Sequence, residues 1–469
     1  MIARLSDSLD VRRRRLAVML TRRNERYRRF PASFQQQSLW FLEQLDPESP
    51  AYHVSLAWDY AEPRDRAVLL RALAALAGRH PTLRTTPAVD QVSYTVVQCV
   101  HPDMPLTLGH TDLSGLTAAE AQREAAAFGR RHSTVPFDLE SGPLLRAHLL
   151  DLPGGAQRLL LTMHHMVADG WSLHILTRDF EEFYAAFSAG REPQLAPPAC
   201  HYHDWASWQR DQGDEGWAEH LAFYRKHLAG APASIDLPTD RPRPPRPTHE
   251  AGCHEWTVSR RTAAALHEHA QKSGTTLYAV LLTALATVLH EWSGQDRVVI
   301  GTPVANRTHP ALFDTVGYFV NTAVIPVDFR GAQTPETLLQ RVHALALSVL
   351  DYQSLPFDKL VEDLAPPRSL AAHPVFQVML ALQNTPDAWA TEQHRQPAGA
   401  AKFDLTFNAV ESPDGLHLEC VYSAELFDPA TVERLCGEFT QTLRELCAGP
   451  GAPGSPARRG ADHSPGEDT

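Results

Sequence analysis

No stretch of this chain approaches the ~20 consecutive apolar residues that a bilayer-spanning helix requires, so a membrane span is not expected. Met1 to Phe30 carries the arginines of a signal peptide but lacks the uninterrupted apolar core that should follow them. Cysteine is scarce. The six present (Cys99, Cys200, Cys253, Cys420, Cys436 and Cys447) show no CxxC spacing. That argues against a zinc site or a disulfide frame and fits buried thiols in a reducing cytoplasm. An excess of positive charge is missing too: the net charge of -12 argues against nucleic-acid binding by the whole molecule. No internal repeat is visible.

What is present is an ordinary globular composition, 43% hydrophobic over 469 residues, enough for two or three domains with substantial cores. Residues 1–30 run against the overall charge. Arg12 to Arg15, then Arg22, Arg23, Arg26, Arg28 and Arg29, accompany Leu9, Leu16, Met19 and Leu20 at near-helical spacing. A solvated helix face is one reading and a docking contact with an acidic partner is the other. Nucleic acid is disfavoured because no aromatic stacking set accompanies the arginines. Residues 31–236 alternate helical stretches (Ala67 to Arg79, Ala118 to Arg131) with strand-like runs such as Ser93 to Val100. The prolines of Leu237 to Pro247 stop helices and block sheet pairing, which places a connector at 237–248. Residues 249–448 mix helices (Arg261 to Ser273, Leu277 to Trp292) with strands (Val298 to Thr302, Leu416 to Tyr422). The Gly-, Pro- and charge-rich residues 449–469 read as a disordered tail. The pattern predicts a mixed α/β chain in two blocks.

The most informative run is His164-His165-Met166-Val167-Ala168-Asp169-Gly170-Trp171-Ser172. It follows an apolar run, Arg158 to Met163, and precedes an amphipathic one, Leu173 to Phe187, a context of strand, tight turn and helix. Such a turn presents an imidazole to a cleft with a carboxylate beneath it, an arrangement able to move a proton during attack on a thioester carbonyl. A purely structural His pair has the same spacing. So does a fragment of a zinc site, but only His174 follows and no third ligand with helical spacing is near.

This run resembles the HHxxxDG signature of the condensation domains of nonribosomal peptide synthetases, members of the acyltransferase group that includes chloramphenicol acetyltransferase. Ser33-Phe-Gln-Gln-Gln-Ser-Leu-Trp40 resembles the family's first motif, Arg79-His-Pro-Thr-Leu-Arg-Thr85 the second and Tyr202-His-Asp-Trp-Ala-Ser-Trp208 the fourth. Leu237 to Pro244 is similar to the connector that follows it. Ile300 to Arg307 with Val316 to Thr322 resembles the fifth, Tyr352 to Val361 the sixth and His373 to Met379 the seventh. The matches run in family order. Three positions depart from the usual pattern: Ser38 stands where Arg is usual, Asn306 where Gly is usual, and the second motif ends in Thr86-Pro87. The intact His pair disfavours a heterocyclisation domain, and Leu382-Gln-Asn384 looks more like a chain-elongating than an epimerising member.

The resemblance implies two chloramphenicol-acetyltransferase-like lobes in a V-shaped pseudo-dimer, with the active site in a channel between them. It implies transfer of an acyl or aminoacyl group from the phosphopantetheine thioester of an acyl- or peptidyl-carrier protein to an amine, forming an amide. A hydroxyl acceptor, giving an ester, and a catalytically silent docking module are the alternatives. His165 is the implied base or positioner of the acceptor, and His164 a scaffold bonded into the turn. Asp169 is implied to pair with Arg307 across the lobes, and Gly170 to permit the turn and bring its N–H close to the reacting carbonyl. Trp171, Ser172, Tyr318, Asn321, Gln383 and Asn384 are candidates around the channel, with Trp171 read mainly as core and Ser172 as a helix N-cap. No metal, nucleotide or other bound cofactor is implied, since phosphopantetheine arrives on the carrier. Neither a Gly-Gly-x-Ser carrier motif nor an adenylate-forming signature is present. With Met1 as the natural start, the expectation is therefore a stand-alone enzyme served by a separate carrier, its acceptor free or carrier-bound.

Overall fold

The computed structural model describes residues 27–332, 334–366, 371–383 and 400–448. The arginines at positions 12–26, Asn384 and the 449–469 tail lie outside the described residues. The first half runs β1 (Arg28–Pro31), α1 (Phe34–Leu45), β2 (His53–Tyr60), α2 (Arg66–Arg79), β3 (Thr85–Val89), β4 (Val96–Val100), β5 (Leu108–Asp112), α3 (Ala118–Thr134), β6 (Leu145–Asp151), β7 (Gln157–His164) and α4 (Gly170–Ser188). Two helices follow, α5 (Tyr202–Asp211) and α6 (Ala218–Leu228). The second half runs β8 (Ala251–Ser259), α7 (Arg260–Lys272), α8 (Leu277–Ser293), β9 (Arg297–Val304), β10 (Asn321–Asp328), α9 (Pro335–Asp351), α10 (Phe357–Leu364), β11 (Val378–Gln383), β12 (Leu405–Ser412), β13 (Gly415–Ser423) and α11 (Pro429–Ala448). Among the described residues, no single helix is long and apolar enough to cross a membrane.

In the first half, a four-stranded sheet has the order β2-β7-β6-β5, and β1, β4 and β3 form a separate three-stranded sheet. Leu69, Ala72, Leu73 and Leu76 recur at helical spacing on α2 and bury against Leu173, Leu176 and Phe180 of α4 and the apolar face of β7. Trp58 of β2 stacks on Phe180 with ring centroids 5.3 Å apart. The second half is built on a six-stranded sheet ordered β10-β9-β11-β12-β13-β8. Helix α8 is apolar on almost every face, a pattern that demands burial on all sides, and it lies in that half's core.

Packing and chain order do not divide the molecule at the same place. Trp217, Tyr224 and Leu228, around α6, precede the Pro-rich stretch yet pack with Val299, Val324 and Phe376 of the second half. In return, Val316 joins the first core, and Leu312 and Phe319 pack on Tyr202 and Trp205 of α5. The segment from Asn306 to Phe319 thus crosses to the first half. Gly317 lets it lie against Tyr202, because a Cβ there would fall 2.2 Å from that ring.

Burial pushes the imidazoles of His53, His132 and His373 down to about 4. The unfolded chain would protonate each near the ordinary value of 6.5, so their contribution is complete above that pH and is lost as pH falls from 6.5 towards 4. Each imidazole costs at most about 1.4 kcal/mol per pH unit across the window. The melting temperature is therefore expected to drop between about pH 7 and about pH 5. Equal melting temperatures at the two values would remove these imidazoles as the cause.

Candidate active site

Two histidines end β7, and the strand register separates their surroundings. His164 pairs with His53 of β2 and is fully buried. Its Nδ1 accepts the Met166 N–H at 3.1 Å, so Nε2 carries the ring hydrogen and donates to Glu43 Oε1 at 2.9 Å. Both ring nitrogens are engaged, one in the turn and one on α1. Gln36 of α1 adds a bond from Nε2 to the Met166 carbonyl at 3.1 Å. The following turn is thereby clamped to α1.

His165 is held differently. Its backbone N–H donates to the Tyr52 carbonyl at 2.7 Å, and its Nδ1 donates to the Ala168 carbonyl at 3.0 Å. A carbonyl only accepts, so Nδ1 carries a hydrogen, and in the neutral ring the lone pair is on Nε2. A neutral imidazole fixed in one tautomer is what a general base requires. Tyr318 lies beside it, with ring centroids 5.2 Å apart. Burial holds the Tyr318 phenol well above its ordinary value, and burial, Glu43 and Asp358 raise that of Tyr52 to about 12. Both phenols stay protonated at neutral pH, so neither competes with the imidazole for a proton.

The structure brings Asp169 and Arg307 together. Arg307 Nη2 lies 3.1 Å from Asp169 Oδ1 with both side chains almost fully buried. The Phe319 N–H donates to Asp169 Oδ2 at 3.0 Å, and the Ser172 hydroxyl donates to Oδ1 at 2.7 Å. Arg307 also donates to the Leu312 and Thr315 carbonyls, and its guanidinium lies 4.1 Å over the Phe319 ring. The Asp169 carboxylate further accepts the Ser172 N–H at 2.8 Å, so Asp169 is the N-cap of α4. This corrects the expectation for Ser172, which is the third helical residue. It is fully buried away from the channel, and its hydroxyl accepts the Gly317 N–H at 3.1 Å.

The remaining candidates scatter. Gly170 opens α4 with no left-handed backbone angle, so the turn does not depend on it; a Cβ there would meet no atom within 4 Å. Trp171 donates its indole N–H to the Phe313 carbonyl at 2.9 Å, tying α4 to the crossing segment. A cavity of ≈ 870 Å³ opens between the halves, lined by α1 and Tyr52 on one side and by Tyr318, Asn321, α10 and residues 371–374 and 401–404 on the other. Tyr318 and Asn321 are on its wall, whereas Trp171, Ser172, Gly170 and Gln383 are not. Asn321 is also engaged structurally, donating to the Gln353 and Leu355 carbonyls and accepting the Phe357 N–H. His165 meets the cavity through Tyr52 and Tyr318 rather than lining it. Sequence reasoning missed Glu43, Tyr52 and Asp358. None sits within the His motif, and only the fold brings them to it.

Removing Asp169 strands the Arg307 guanidinium in a dry site, a change that costs about 3–5 kcal/mol. Asp169→Ala should therefore lose folded protein as well as activity. Denaturant unfolding of the purified variant checks this, and a variant of wild-type stability that is merely inactive would refute the structural role.

The condensation-domain family profile matches residues 27–457. The chain is 40% identical over 430 residues to a linear gramicidin synthase of Brevibacillus parabrevis, covering 90% of this chain and 6% of that one. It is 39% identical to the phosphinothricin tripeptide synthetase PhsB of Streptomyces viridochromogenes, covering 88% of this chain and 35% of that one. It therefore spans only a minor part of these curated relatives. Among solved structures, the X-domain from teicoplanin biosynthesis aligns with a TM-score of 0.80 at 29% identity, covering 91% of this chain and 97% of that one. A four-domain nonribosomal peptide synthetase, AB3403, aligns with a TM-score of 0.79 at 23% identity over 90% of this chain and 33% of that one, a likeness of fold. The fold is the chloramphenicol-acetyltransferase-like one of these neighbours, and the chain belongs to the condensation-domain family of nonribosomal peptide synthetases.

Proposed function

We propose that this chain transfers an acyl or aminoacyl group from a carrier-protein phosphopantetheine thioester to an amine. The supporting observation is the fixed tautomer of His165, whose Nδ1–H is committed to the Ala168 carbonyl beside a cavity shared by both halves. The amine attacks the thioester carbonyl and gives its proton to Nε2 of His165. The C–N bond forms, the C–S bond breaks, and the proton passes to the departing pantetheine sulfur as a thiol. The Gly170 N–H at the start of α4 is the proposed donor to the developing oxyanion; one such donor is worth about 3–4 kcal/mol. A cavity of ≈ 870 Å³ has room for a pantetheine-tethered acyl group. At its mouth Phe41, Leu45 and Tyr94 are exposed, an apolar rim of the kind that meets a partner surface. The carrier protein is the proposed partner, and phosphopantetheine is substrate tether rather than resident cofactor.

A second reading, a docking module without chemistry, draws on the solved complex of an X-domain with OxyB from teicoplanin biosynthesis, at 28% identity to this chain. One experiment separates the readings. Wild type and His165→Ala are compared by mass spectrometry with a panel of acyl- and aminoacyl-loaded carriers and matched amines and alcohols. Loss of a positioned base should cost about 10²–10⁴ in rate. A product that forms equally well without His165 would refute its role. Carrier binding without turnover of any pair would favour docking, and an ester in place of an amide would change the acceptor class.

A further inference from the structure

We propose that Asp358 is a specificity-determining residue of this cavity, an anionic subsite that receives a cationic nitrogen of the substrate. The proposal deepens the acyl-transfer reading and rests on it. Asp358 is the second residue of α10 and lines the cavity together with Ser38, Tyr318 and Asn321. Its charge helps raise the phenols of both Tyr52 and Tyr318, which places it on the wall that reaches His165.

Of the other acids lining the cavity, Asp46 is exposed at its edge and three are engaged by the protein. Asp404 is paired with Arg243 at 2.7 Å, Glu43 accepts from His164 at 2.9 Å, and Glu425 accepts the Thr248 N–H at 2.8 Å. Among the described residues, no lysine or arginine pairs with Asp358. Its neighbour Lys359 turns away, to Asp214 at 3.0 Å and Glu362 at 3.3 Å. The Arg210 guanidinium acts on Asp358 from a distance, but its hydrogens go to the Ala32 carbonyl at 2.7 Å, the Ser33 carbonyl at 3.2 Å and Gln37 Oε1 at 2.6 Å. What stands beside Asp358 is the Ser38 hydroxyl, and burial pushes its carboxyl above the ordinary range. Position 38 is where the sequence departs from the usual arginine, so a short neutral side chain leaves the carboxylate facing the cavity. A half-buried carboxylate without a basic partner costs free energy until a cation arrives. A first-turn acid also favours its own helix, which is the competing structural explanation.

The cation has two sources, the amino group of an aminoacyl donor or a basic group on the acceptor. Equilibrium binding to wild type, Asp358→Asn and Ser38→Arg distinguishes them with probes that cannot react. The donor pair is alanyl- and propionyl-aminopantetheine amide; the acceptor pair is lysinamide and norleucinamide. Wild type should favour the cationic member of one pair by about ten- to a hundredfold. Asp358→Asn should erase that preference while leaving the neutral probe's affinity intact. Ser38→Arg should erase it as well, by supplying an internal guanidinium, and should not lower the melting temperature. Absence of preference in wild type, its survival in Asp358→Asn, or equal loss of both probes would overturn the proposal. Because no probe turns over, these outcomes are independent of the His165 rate comparison, where failure of acyl transfer itself would appear.

Discussion

The buried charge of Asp169 is the constraint on which the site depends. A carboxylate out of water must have its lone pairs occupied, or its desolvation outweighs everything else nearby. Asp169 meets that demand with donors from both halves: the Ser172 N–H and hydroxyl of α4, the Arg307 guanidinium, and the Phe319 N–H. One group therefore caps α4, ends the turn that carries His165, and fixes the segment that delivers Tyr318. Asn306, next to Arg307, has φ +53 and donates its side-chain amide to the Phe319 carbonyl at 3.2 Å. Asparagine is among the few non-glycine residues that accept the left-handed region readily, so this departure from the usual glycine preserves the backbone path.

Around that hub the adjacent histidines differ through their partners alone. His164 is a neutral bridge from the turn to Glu43, and the energy of that bridge goes into holding α1 against β7. His165 commits Nδ1 to the backbone of its own turn, so the lone pair of the neutral ring is on Nε2. The two phenols beside it stay protonated at neutral pH, so neither competes with the imidazole for a proton. The proposed proton transfer by His165 thus draws on its hydrogen bonds as well as on its place in a motif.

Much of the fold was legible locally. The nearly continuous apolar run Leu277 to Trp292 is a helix within one residue of its expected end, because only burial on all sides suits it. The expected strand from Ser93 begins at Val96, because the Asp90 carboxylate captures the Val92 and Ser93 N–H groups and makes a turn of residues that alternate like a strand. The motif located the His165 turn, and the resemblance supplied the partner of Asp169. Ser172 was misread because the Asp169 carboxylate, three residues earlier, caps the helix, and Gly170 because the turn needs no left-handed angle there. Glu43 and Asp358 were invisible for another reason. Their contacts span 121 residues for Glu43–His164 and run from the first helix of one half to α10 of the other for Ser38–Asp358, and nothing in a linear pattern encodes such pairs.

The three departures from the family pattern sort by physical consequence once they are placed. Asn306 keeps a backbone conformation, and Thr86 is buried in β3, its hydroxyl 2.9 Å from His101 Nε2. Ser38 alone faces the cavity, where side-chain size and charge act on whatever enters. The His165 turn belongs to the first half, Asn321 and Asp358 on the facing wall come from the second, and Tyr318 lies on the segment that crosses between them. A division of this kind lets a substitution at the wall alter which substrate is held without disturbing the tautomer of His165. It holds only as long as the buried pair keeps the two halves in register, so selectivity and chemistry are separable in sequence but share one structural dependency, the contact between Asp169 and Arg307.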